Sequence, residues 1–401
     1  MRPISDRICS EHFPRVSREF IYLNSGTHSL CPQEILDFQN QCRDKYELNP
    51  TLGLMDVWGQ LWQVQSSLAD HFNGQPQDFW LRSNVTHPLN EFILNVPLPS
   101  GAEILTTDHE YGAVLNICRF RAERDGLQLR VLKMPDPLTM RKMSTDQWIE
   151  FFVSGISAKT KLFVGYHVYS GHGLVVPIAE LSIALKRLNV VFAVDGAHGP
   201  GAQTLNFQEL GNVDFYAGNL HKWWLGPKGT AFAWVNPRVQ DRLQPLMAGW
   251  PTYESFPPFS QFAEGHRFAQ RNMLLGCLDF SPFLAIAAGI KFWNEMGFSM
   301  ISQERQNRLD HLVEKMGQAG FSPPIDFATP DLRGPVRAWQ MSDRFLEISF
   351  RDLAQKILDQ AKVQVAITVF GGRKYLRLSP HLHNTSEELE VAATRLAKFF
   401  L

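Results

Sequence analysis

The chain has 401 residues, of which 44% are hydrophobic and 20% are charged, and its formal net charge is −1. This length exceeds what one compact core usually holds, so we expect a large domain with a smaller companion. The near-neutral charge gives no electrostatic reason to expect a nucleic-acid partner or an anionic membrane surface. The sequence contains no apolar signal core near its start and no apolar run long enough to cross a bilayer, so we expect a cytoplasmic protein with no membrane partner. Five scattered cysteines without a CxxC pair predict reduced thiols.

The first two thirds of the chain alternate between short apolar runs and amphipathic segments. The pattern of residues 32–74 predicts two leading helices, and later helices are predicted at 87–96, 111–126, 144–156 and 177–189. Predicted strands lie at 78–81, 102–107, 127–132, 161–168, 189–197, 213–219 and 229–235. Nearly continuous apolar strands separated by helices favour an α/β fold with a mostly parallel seven-stranded sheet covered on both faces.

The character of the sequence changes after a proline- and aromatic-rich segment at 244–262. A long helix is predicted at 272–297, short strands at 344–350, 362–368 and 374–380, and a closing helix at 385–401. We therefore predict a large cofactor-binding domain over residues 21–257. Residues 1–20 and 258–401 are predicted to form a smaller α+β domain.

Polar residues follow several of the predicted strands, which is where open α/β sheets bind ligands. Asn84 and Thr86 precede a predicted helix, where they could cap it or help its N-terminal amides to bind a phosphate. His109 and Tyr111 follow the next strand and could stack on a planar ligand or lie on the surface. The segment GHGLVV at 171–176 resembles half of a dinucleotide fingerprint but lacks the third glycine, which disfavours NAD binding.

An acid and an amine follow two later strands. Asp195 ends an apolar run, so it either caps a turn or pairs with a cation, because a buried carboxylate needs a partner. Lys222 follows the strand at 213–219, and burial would lower its pKa and make it a usable nucleophile. Lys228 is the competing amine, although its Gly and Pro neighbours favour a simple turn. A phosphate pocket, a stacking group, an acid and an amine are the parts that pyridoxal phosphate (PLP) needs.

Six segments resemble motifs of a known protein family and occur in the same order as in that family. They are YLNSGTHSLCP, NVTHPLN, DHEYGAVLN, YHVYSGHGLVVPI, VDGAHGPG…GNLHKWWLGPKG and YLRLSPHLHNT, and they span roughly residues 20–390. The chain resembles the class V PLP-dependent aminotransferases of fold type I, and most closely the isopenicillin N epimerase-like branch. The resemblance implies an enzyme acting at Cα of an amino acid, with PLP as cofactor, and a homodimer.

The resemblance also implies roles for individual residues. Lys222 forms the Schiff base and moves the Cα proton, Asp195 pairs with the pyridinium nitrogen, and His109 stacks on the ring. The implied phosphate contacts are Val85, Thr86, His221 and the neighbouring Asn219. His198 and Ser170 lie near the phenolic oxygen. Arg377 takes the substrate carboxylate, and Asn24, Thr27 and Tyr111 line the substrate side, with Tyr111 also the alternative stacking group.

The sequence departs from the family pattern at two places. Many members carry a Gly-Thr pair that reaches the partner subunit's phosphate, whereas this chain has Gln270-Arg271-Asn272 at the comparable place. Either Arg271 takes over that contact or the intersubunit arrangement differs. Cysteine desulfurases need a cysteine just before the strand that carries the substrate arginine, and the segment ITVFGGRKYLRLSP has none.

The reaction type and the class of function stay open at this point. Transamination, epimerisation and β-elimination of a C–S bond all suit these motifs, and epimerisation needs a second base beside Lys222. Asp195, His198 and His221 could instead ligate a metal for hydrolysis, although we predict no metal site. A degenerate PLP fold used for binding is the third class, and such folds usually lose Lys222 or Asp195. His381 and His383 could shape specificity, or they could be surface or hydrogen-bonded histidines.

Overall fold

The computed structural model describes residues 4–17, 19–253, 262–274 and 276–401. Its strands, in chain order, are β1 (Ile21–Tyr22), β2 (Phe79–Arg82), β3 (Glu103–Thr107), β4 (Gln128–Leu132), β5 (Thr160–Tyr166), β6 (Val191–Gly196), β7 (Phe215–Asn219), β8 (Ala231–Val235), β9 (Arg337–Gln340), β10 (Val363–Gln364), β11 (Ala366–Phe370) and β12 (Arg373–Leu378). Seven of them form one sheet in the order β2-β8-β7-β6-β5-β3-β4. The pairs from β7 to β4 are parallel, and β8 runs antiparallel to both of its neighbours. The mostly parallel seven-stranded sheet is therefore confirmed.

The helices lie before, between and after these strands. They are α1 (Ile4–His12), α2 (Gln33–Leu48), α3 (Pro50–His71), α4 (Thr86–Ile93), α5 (Gly112–Asp125), α6 (Pro137–Met140), α7 (Thr145–Ser154), α8 (Ile178–Arg187), α9 (Pro237–Gln240), α10 (Arg267–Asn272), α11 (Ser281–Leu284), α12 (Ile286–Met296), α13 (Phe298–Gln318), α14 (Phe350–Ala361) and α15 (Ser386–Phe400). Short 3₁₀ turns include Pro76–Asp78, Trp250–Thr252, Pro330–Leu332 and Asp343–Phe345. The helices predicted in the first two thirds of the chain and the closing helix are confirmed.

Both faces of the large sheet are covered by apolar side chains. On one face, Phe92 and Ile117 of α4 and α5 pack with Phe215 of β7, and the rings of Phe92 and Phe215 stack at 4.4 Å. On the other face, Phe163 of β5 stacks on Phe192 of β6 at 5.4 Å within a separate and larger cluster. Apolar burial on both faces explains why these strands read as continuous apolar runs.

The C-terminal third builds a smaller antiparallel sheet in the order β11-β12-β9. Strand β1 pairs in parallel with β10, and a further bridge joins Asn24 to Ser379. Ile21 and Leu23 therefore pack in the apolar cluster of the C-terminal region. This pairing brings the segment after β1 next to the end of β12, on which Arg377 lies.

Two predicted elements of this region are wrong. The strand predicted at 344–350 is a 3₁₀ turn followed by the start of α14, because Ser349 caps that helix by accepting from the backbone N–H of Asp352 at 3.1 Å. The long helix predicted at 272–297 is divided into α11 and α12. Pro282 lies in the first turn of α11, the position where a missing N–H costs nothing.

The domain division remains a prediction. The proposed boundary at 257/258 falls outside the described residues. Residues on both sides of it share one apolar cluster, in which Trp293 of α12 stacks on Trp224 at 6.4 Å. Within the described part of the chain, no helix has both the length and the apolar character needed to cross a membrane.

Candidate active site

The carboxyl ends of the parallel strands meet at one cavity of about 980 Å³. The register aligns Tyr166 of β5 with Asp195 of β6 and Asp195 with Ala217 of β7. Asp195 therefore sits at the centre of the sheet edge, and Lys222 is the third residue after the end of the neighbouring strand β7. The remaining wall comes from the C-terminal region, chiefly α14 and β11.

Lys222 opens a tight turn that aims its side chain into the cavity. The backbone N–H of Leu225 donates to the carbonyl of Lys222 at 3.1 Å, and Leu225 has a φ of +63°, which a residue with a Cβ rarely adopts. Gly201 packs against this turn, and a Cβ there would lie 2.4 Å from the backbone of Trp223. Backbone strain of this kind commonly accompanies a functional position.

Burial governs the charge of the Lys222 amine. It lowers the pKa of Lys222 to about 8, while the carboxylate of Asp195 partly opposes this and the Arg377 guanidinium reinforces it. Near physiological pH such a lysine has a far larger neutral fraction than an ordinary lysine, and the neutral amine is the nucleophilic form. Its Nζ lies 3.0 Å from Nε2 of His198.

The indole of Trp223 sets the tautomer of His198. Its Nε1–H donates to Nδ1 of His198 at 3.1 Å, so that nitrogen is an acceptor. Burial holds the pKa of His198 well below its usual value, with the charges of Lys222 and Arg377 adding to the effect. The neutral ring therefore carries its proton on Nε2 and donates to a neutral Lys222.

Asp195 is 1% exposed and uses one oxygen within the protein. Its Oδ1 accepts from the backbone N–H of Ala197 at 2.8 Å. Burial raises the pKa of Asp195 to about 6, against the opposing effects of that hydrogen bond and of Lys222. The other oxygen makes no hydrogen bond to any described residue, so the carboxylate can receive a cationic N–H from a ligand.

Glu110 is a second acid on the cavity wall. It is buried, and burial together with the charge of Asp195 raises its pKa well above the usual value. Its Oε1 accepts from the backbone N–H of Tyr111 at 2.9 Å. Two nearby acids in a buried site do not both ionise, so Glu110 is the neutral one of the pair.

His109 is held by a second buried histidine. The backbone N–H of Leu174 donates to Nδ1 of His172 at 3.3 Å, which leaves the proton of His172 on Nε2. That N–H then donates to Nδ1 of His109 at 3.2 Å. The ring of Phe370 packs on both histidines, at 5.0 Å from His109 and 5.3 Å from His172. The orientation and tautomer of His109 are thus fixed.

The start of α4 forms one end of the cavity. The backbone N–H of Thr86 donates to Asn84 at 3.0 Å, and that of Val85 donates to Oδ1 of Asn219 at 3.1 Å. These two amides are therefore satisfied within the protein. The side chains of Thr86 and His221 remain on the cavity wall as candidates for a phosphate.

His221 needs an anion to become a donor at its free nitrogen. Its Nδ1 lies 3.1 Å from the carbonyl of Thr230, so the neutral ring donates there and leaves Nε2 without a proton. Burial lowers the pKa of His221 to about 3, and the charge of Lys222 adds to this. A bound phosphate would favour the imidazolium, because a nearby negative charge raises the pKa of a histidine.

Arg377 is a buried cation whose partners are all neutral. Its Nη2 donates to Oδ1 of Asn24 at 2.8 Å and to Oγ1 of Thr27 at 2.7 Å, and its Nη1 donates to the carbonyl of Ser170 at 3.1 Å. Its Nε has no partner among the described residues. Burial lowers the pKa of Arg377 to about 10, so it stays charged. None of its hydrogen-bond partners among the described residues is a carboxylate.

Most residues predicted from the sequence line this cavity. They are Thr27, Val85, Thr86, His109, Tyr111, Ser170, Asp195, His198, Asn219, His221, Lys222 and Arg377. Asn24 is reached through its hydrogen bond to Arg377. Arg271 lies instead beside a separate small cavity with Arg82 and Glu91, so its contact with a partner's phosphate remains a prediction.

Sequence reasoning missed the roles of Trp223, Glu110 and His172 in the site. Trp223 stood beside the predicted lysine, and His172 lay within the rejected dinucleotide motif. The sequence indicated these residues through their closeness in sequence to predicted site residues. A buried hydrogen bond between segments that are distant in sequence cannot be predicted from residue spacing. His381 and His383 are fully buried and hydrogen-bonded to the carbonyls of Trp223 and Tyr22, so the hydrogen-bonded alternative is confirmed and the surface alternative is wrong.

The metal alternative finds no support in the geometry. Across the described ranges, no group of three or more His, Cys, Asp and Glu side chains could hold a metal ion. Both nitrogens of His198 are instead engaged, with Trp223 and Lys222, and Nδ1 of His221 is engaged with the carbonyl of Thr230.

A sequence model of the family described as aminotransferase class V matches residues 21–391. The chain belongs to this family. It is 28% identical over 389 residues to an isopenicillin N epimerase of Streptomyces clavuligerus, covering 94% of each chain. It is 22% identical to a probable cysteine desulfurase of Pyrococcus abyssi, covering 94% of this chain and 93% of that one. Class V aminotransferases are PLP-dependent enzymes, and PLP is the cofactor of this one.

The fold is also that of solved PLP enzymes. A complex of the cystine C–S lyase C-DES with its product cysteine persulfide superposes with a TM-score of 0.82 at 22% identity, covering 96% of this chain and 99% of that one. A cysteine desulfurase from Thermococcus onnurineus gives a TM-score of 0.80 at 21% identity, covering 100% and 98%. The fold type I prediction is confirmed.

The residues present fit PLP. Asp195 offers an unused carboxylate oxygen, His198 offers an N–H, and Lys222 offers an amine of lowered pKa within one cavity. Arg377 supplies a buried cation with no acidic partner in the part of the chain that is described. This donor set matches the ring nitrogen, phenolic oxygen, aldehyde and substrate carboxylate that a PLP enzyme must hold.

Proposed function

We propose that this protein is a PLP-dependent enzyme that removes the Cα proton of an α-amino acid, with Lys222 as the covalent attachment point and the base. The observation that carries this proposal is the 3.0 Å contact between Lys222 and a His198 that can only donate to it. That arrangement supports the neutral amine, which is the form able to attack an aldehyde and to accept a proton.

When bound, PLP supplies an aldehyde for the lysine amine and a protonated ring that draws electrons away from Cα. Asp195 would keep the ring nitrogen protonated through its unused oxygen. His198 would donate its Nε2–H to the phenolic oxygen once Lys222 is engaged. His109, locked by His172, would lie against the ring face. Thr86 and His221 would hold the phosphate end.

Arg377 would bind the α-carboxylate of the substrate. Its Nε is buried and unpartnered, while Asn24, Thr27 and the carbonyl of Ser170 hold the guanidinium plane. A planar guanidinium binds a carboxylate through two parallel hydrogen bonds, so it fixes the direction of Cα as well as its distance. Lys222 could then reach the Cα proton from one face.

Removal of the Cα proton is the step that transamination, epimerisation and β-elimination have in common. The relation to isopenicillin N epimerase over nearly the whole chain supports an epimerase-like or aminotransferase-like reaction. None of the described residues that line the cavity is a cysteine, which argues against a desulfurase that transfers sulfur to the protein. In an epimerase, Tyr111 on the cavity wall would be the acceptor on the other face.

The test is hydrogen exchange at Cα. The PLP-loaded enzyme is incubated in D₂O with a panel of L-amino acids, and deuterium at Cα is followed by mass spectrometry. We expect exchange with at least one amino acid, and exchange at least about tenfold slower with its carboxamide, which cannot pair with Arg377. The absence of exchange across the whole panel with PLP bound would overturn the proposal.

The products of the same incubation report the reaction type. A D-amino acid indicates epimerisation, an oxo acid with aminated cofactor indicates transamination, and loss of the side chain indicates elimination. We further propose a homodimer in the cytoplasm, supported by the family resemblance and by five cysteines that are all free. Light scattering on the purified protein tests the dimer, and a monomeric mass contradicts it.

A further inference from the structure

The cavity has an outer wall that the proposed chemistry does not use. Phe350, Ala354 and Leu358 of α14 lie on it at the i, i+4, i+8 spacing of one helical face. A neighbouring face of the same helix, with Leu353, Ile357 and Ala361, packs into the C-terminal core. Ala354 also packs against that core, whereas Phe350 and Leu358 are apolar side chains of the cavity face that do not belong to it.

Part of this cavity face is open to solvent. Phe350 is 62% exposed, and Val369 of β11, also on the wall, is 56% exposed. Contiguous exposed apolar residues beside a cavity commonly mark a ligand surface. At about 980 Å³ the cavity is also at the upper end of the usual range for ligand sites, which leaves room beyond the cofactor for more than a small amino acid.

The wall also carries an unengaged cation. Arg351 lines the cavity and makes no hydrogen bond or ion pair with any described residue. It lies in the first turn of α14, where the helix dipole disfavours a positive charge, so local helix stability does not account for it. The acids that line the cavity within the described residues are Asp195 and Glu110, and both lie at its buried end.

We propose that Phe350, Arg351, Ala354, Leu358 and Val369 form a distal subsite. It takes the far end of an amino-acid substrate whose side chain is long and apolar and ends in a carboxylate. This inference rests on the proposed function: Arg377 holds the α-carboxylate, and Arg351 pairs with the second carboxylate at the cavity mouth.

The test compares two amino acids of equal chain length in the Cα exchange assay. L-2-aminosuberate ends in a carboxylate, and L-2-aminooctanoate ends in a methyl group. Because an ion pair with an exposed arginine is modest, we expect kcat/KM for exchange to favour aminosuberate by about fivefold at low salt. This preference should fall as the ionic strength rises.

Charge variants of α14 assign the preference. Arg351→Gln should bring the two substrates to parity, and Arg351→Glu should reverse the order. Lys356 is exposed on the same helix but does not line the cavity, so Lys356→Glu makes the same charge change and should keep the wild-type ratio.

The outcomes separate the two proposals. The wild type would contradict the distal subsite if it exchanged alanine, aminooctanoate and aminosuberate equally well and if Arg351→Glu did not change the ratio of aminosuberate to aminooctanoate. That result would leave the proposed function standing. The distal subsite would also be overturned if Lys356→Glu changed the substrate ratio as much as Arg351→Glu does, because the ratio would then report only the overall electrostatic field of the helix. The absence of exchange with every amino acid would overturn the proposed function itself.

Discussion

Trp223 donates its indole N–H to Nδ1 of His198, and this bond turns the N–H of the imidazole towards Lys222 on the other side of the ring. The proton of His198 must lie on Nε2, so His198 faces Lys222 as a donor. A donor stabilises the neutral amine and works against the ammonium. The tryptophan next to the lysine in sequence therefore acts on it in space through a third residue.

Replacing Trp223 by phenylalanine tests this relay. In Trp223→Phe the His198 ring can place its proton on Nδ1, and Nε2 can then accept from a charged Lys222. We expect the pKa of Lys222 to rise from about 8 towards its usual value. The rate of PLP capture by the apoprotein, followed by absorbance against pH, should have a midpoint near pH 8 in the wild type and a higher midpoint in the variant. An unchanged midpoint would show that His198 does not control the amine.

Lys222→Ala should abolish Cα exchange and covalent cofactor binding. Loss of a positioned base costs about 10²- to 10⁴-fold, and no other amine lines the cavity within the described residues. Lys228→Ala is the matched control, since Lys228 is bound to the carbonyl of Ser29 and does not line the cavity. Exchange that survives in Lys222→Ala and fails in Lys228→Ala would invert the assignment.

Asp195→Asn should separate stability from function. The pKa of Asp195 is raised to about 6 in the folded protein, so the folded state holds its proton more tightly than the unfolded state. The penalty for ionising it is absent below about pH 3, grows between about pH 4 and pH 6, and then stays constant at up to about 3 kcal/mol. The apo variant should therefore be more stable than the wild type at pH 8, and this difference should shrink towards zero as the pH falls to about 3, as measured by urea unfolding.

The same variant should lose its activity. A neutral amide cannot keep the ring nitrogen protonated, so Cα exchange should fall about 100-fold or more while some PLP remains bound. Near-normal exchange in Asp195→Asn would remove this carboxylate from the mechanism. Lower stability of the apo variant at pH 8 would show that the buried charge is compensated in another way.

His172 should matter through His109. Its Nε2–H occupies Nδ1 of His109 and blocks protonation there. In His172→Leu we expect the pKa of His109 to rise, because burial alone then opposes its protonation, and a new acidic limb to appear in the pH profile of exchange. His172→Gln keeps an N–H near the same place and should restore the wild-type profile. Identical profiles for the leucine and glutamine variants would reduce His172 to a packing residue.

The sequence predicted the large sheet well because its strands are buried on both faces and separated by amphipathic helices. Asp195 and Lys222 were found for the same reason, since each follows an apolar run at the edge where parallel strands end. Their proximity follows from the strand register, which places the end of β6 beside the end of β7. Reactive residues at the ends of parallel strands can therefore be predicted from the hydrophobic pattern of the sequence alone.

The structure of the C-terminal region was harder to predict because its helices and strands are short and its strands pair with segments that are distant in sequence. The segment at 344–350 has a strand-like run of apolar residues, yet the Ser349 cap makes its end a helix start. The pairing of β1 with β10 joins residues more than 300 positions apart and carries Asn24 and Thr27 to Arg377. Nothing local in the sequence encodes that contact.

The most direct test of the central assignment is borohydride reduction of the PLP-loaded protein followed by peptide mass mapping. We predict one modified peptide, with the cofactor mass on Lys222, and loss of that adduct when an amino-acid substrate is added before the borohydride. A cofactor adduct on another lysine, or no adduct in a protein that retains PLP, would contradict the account.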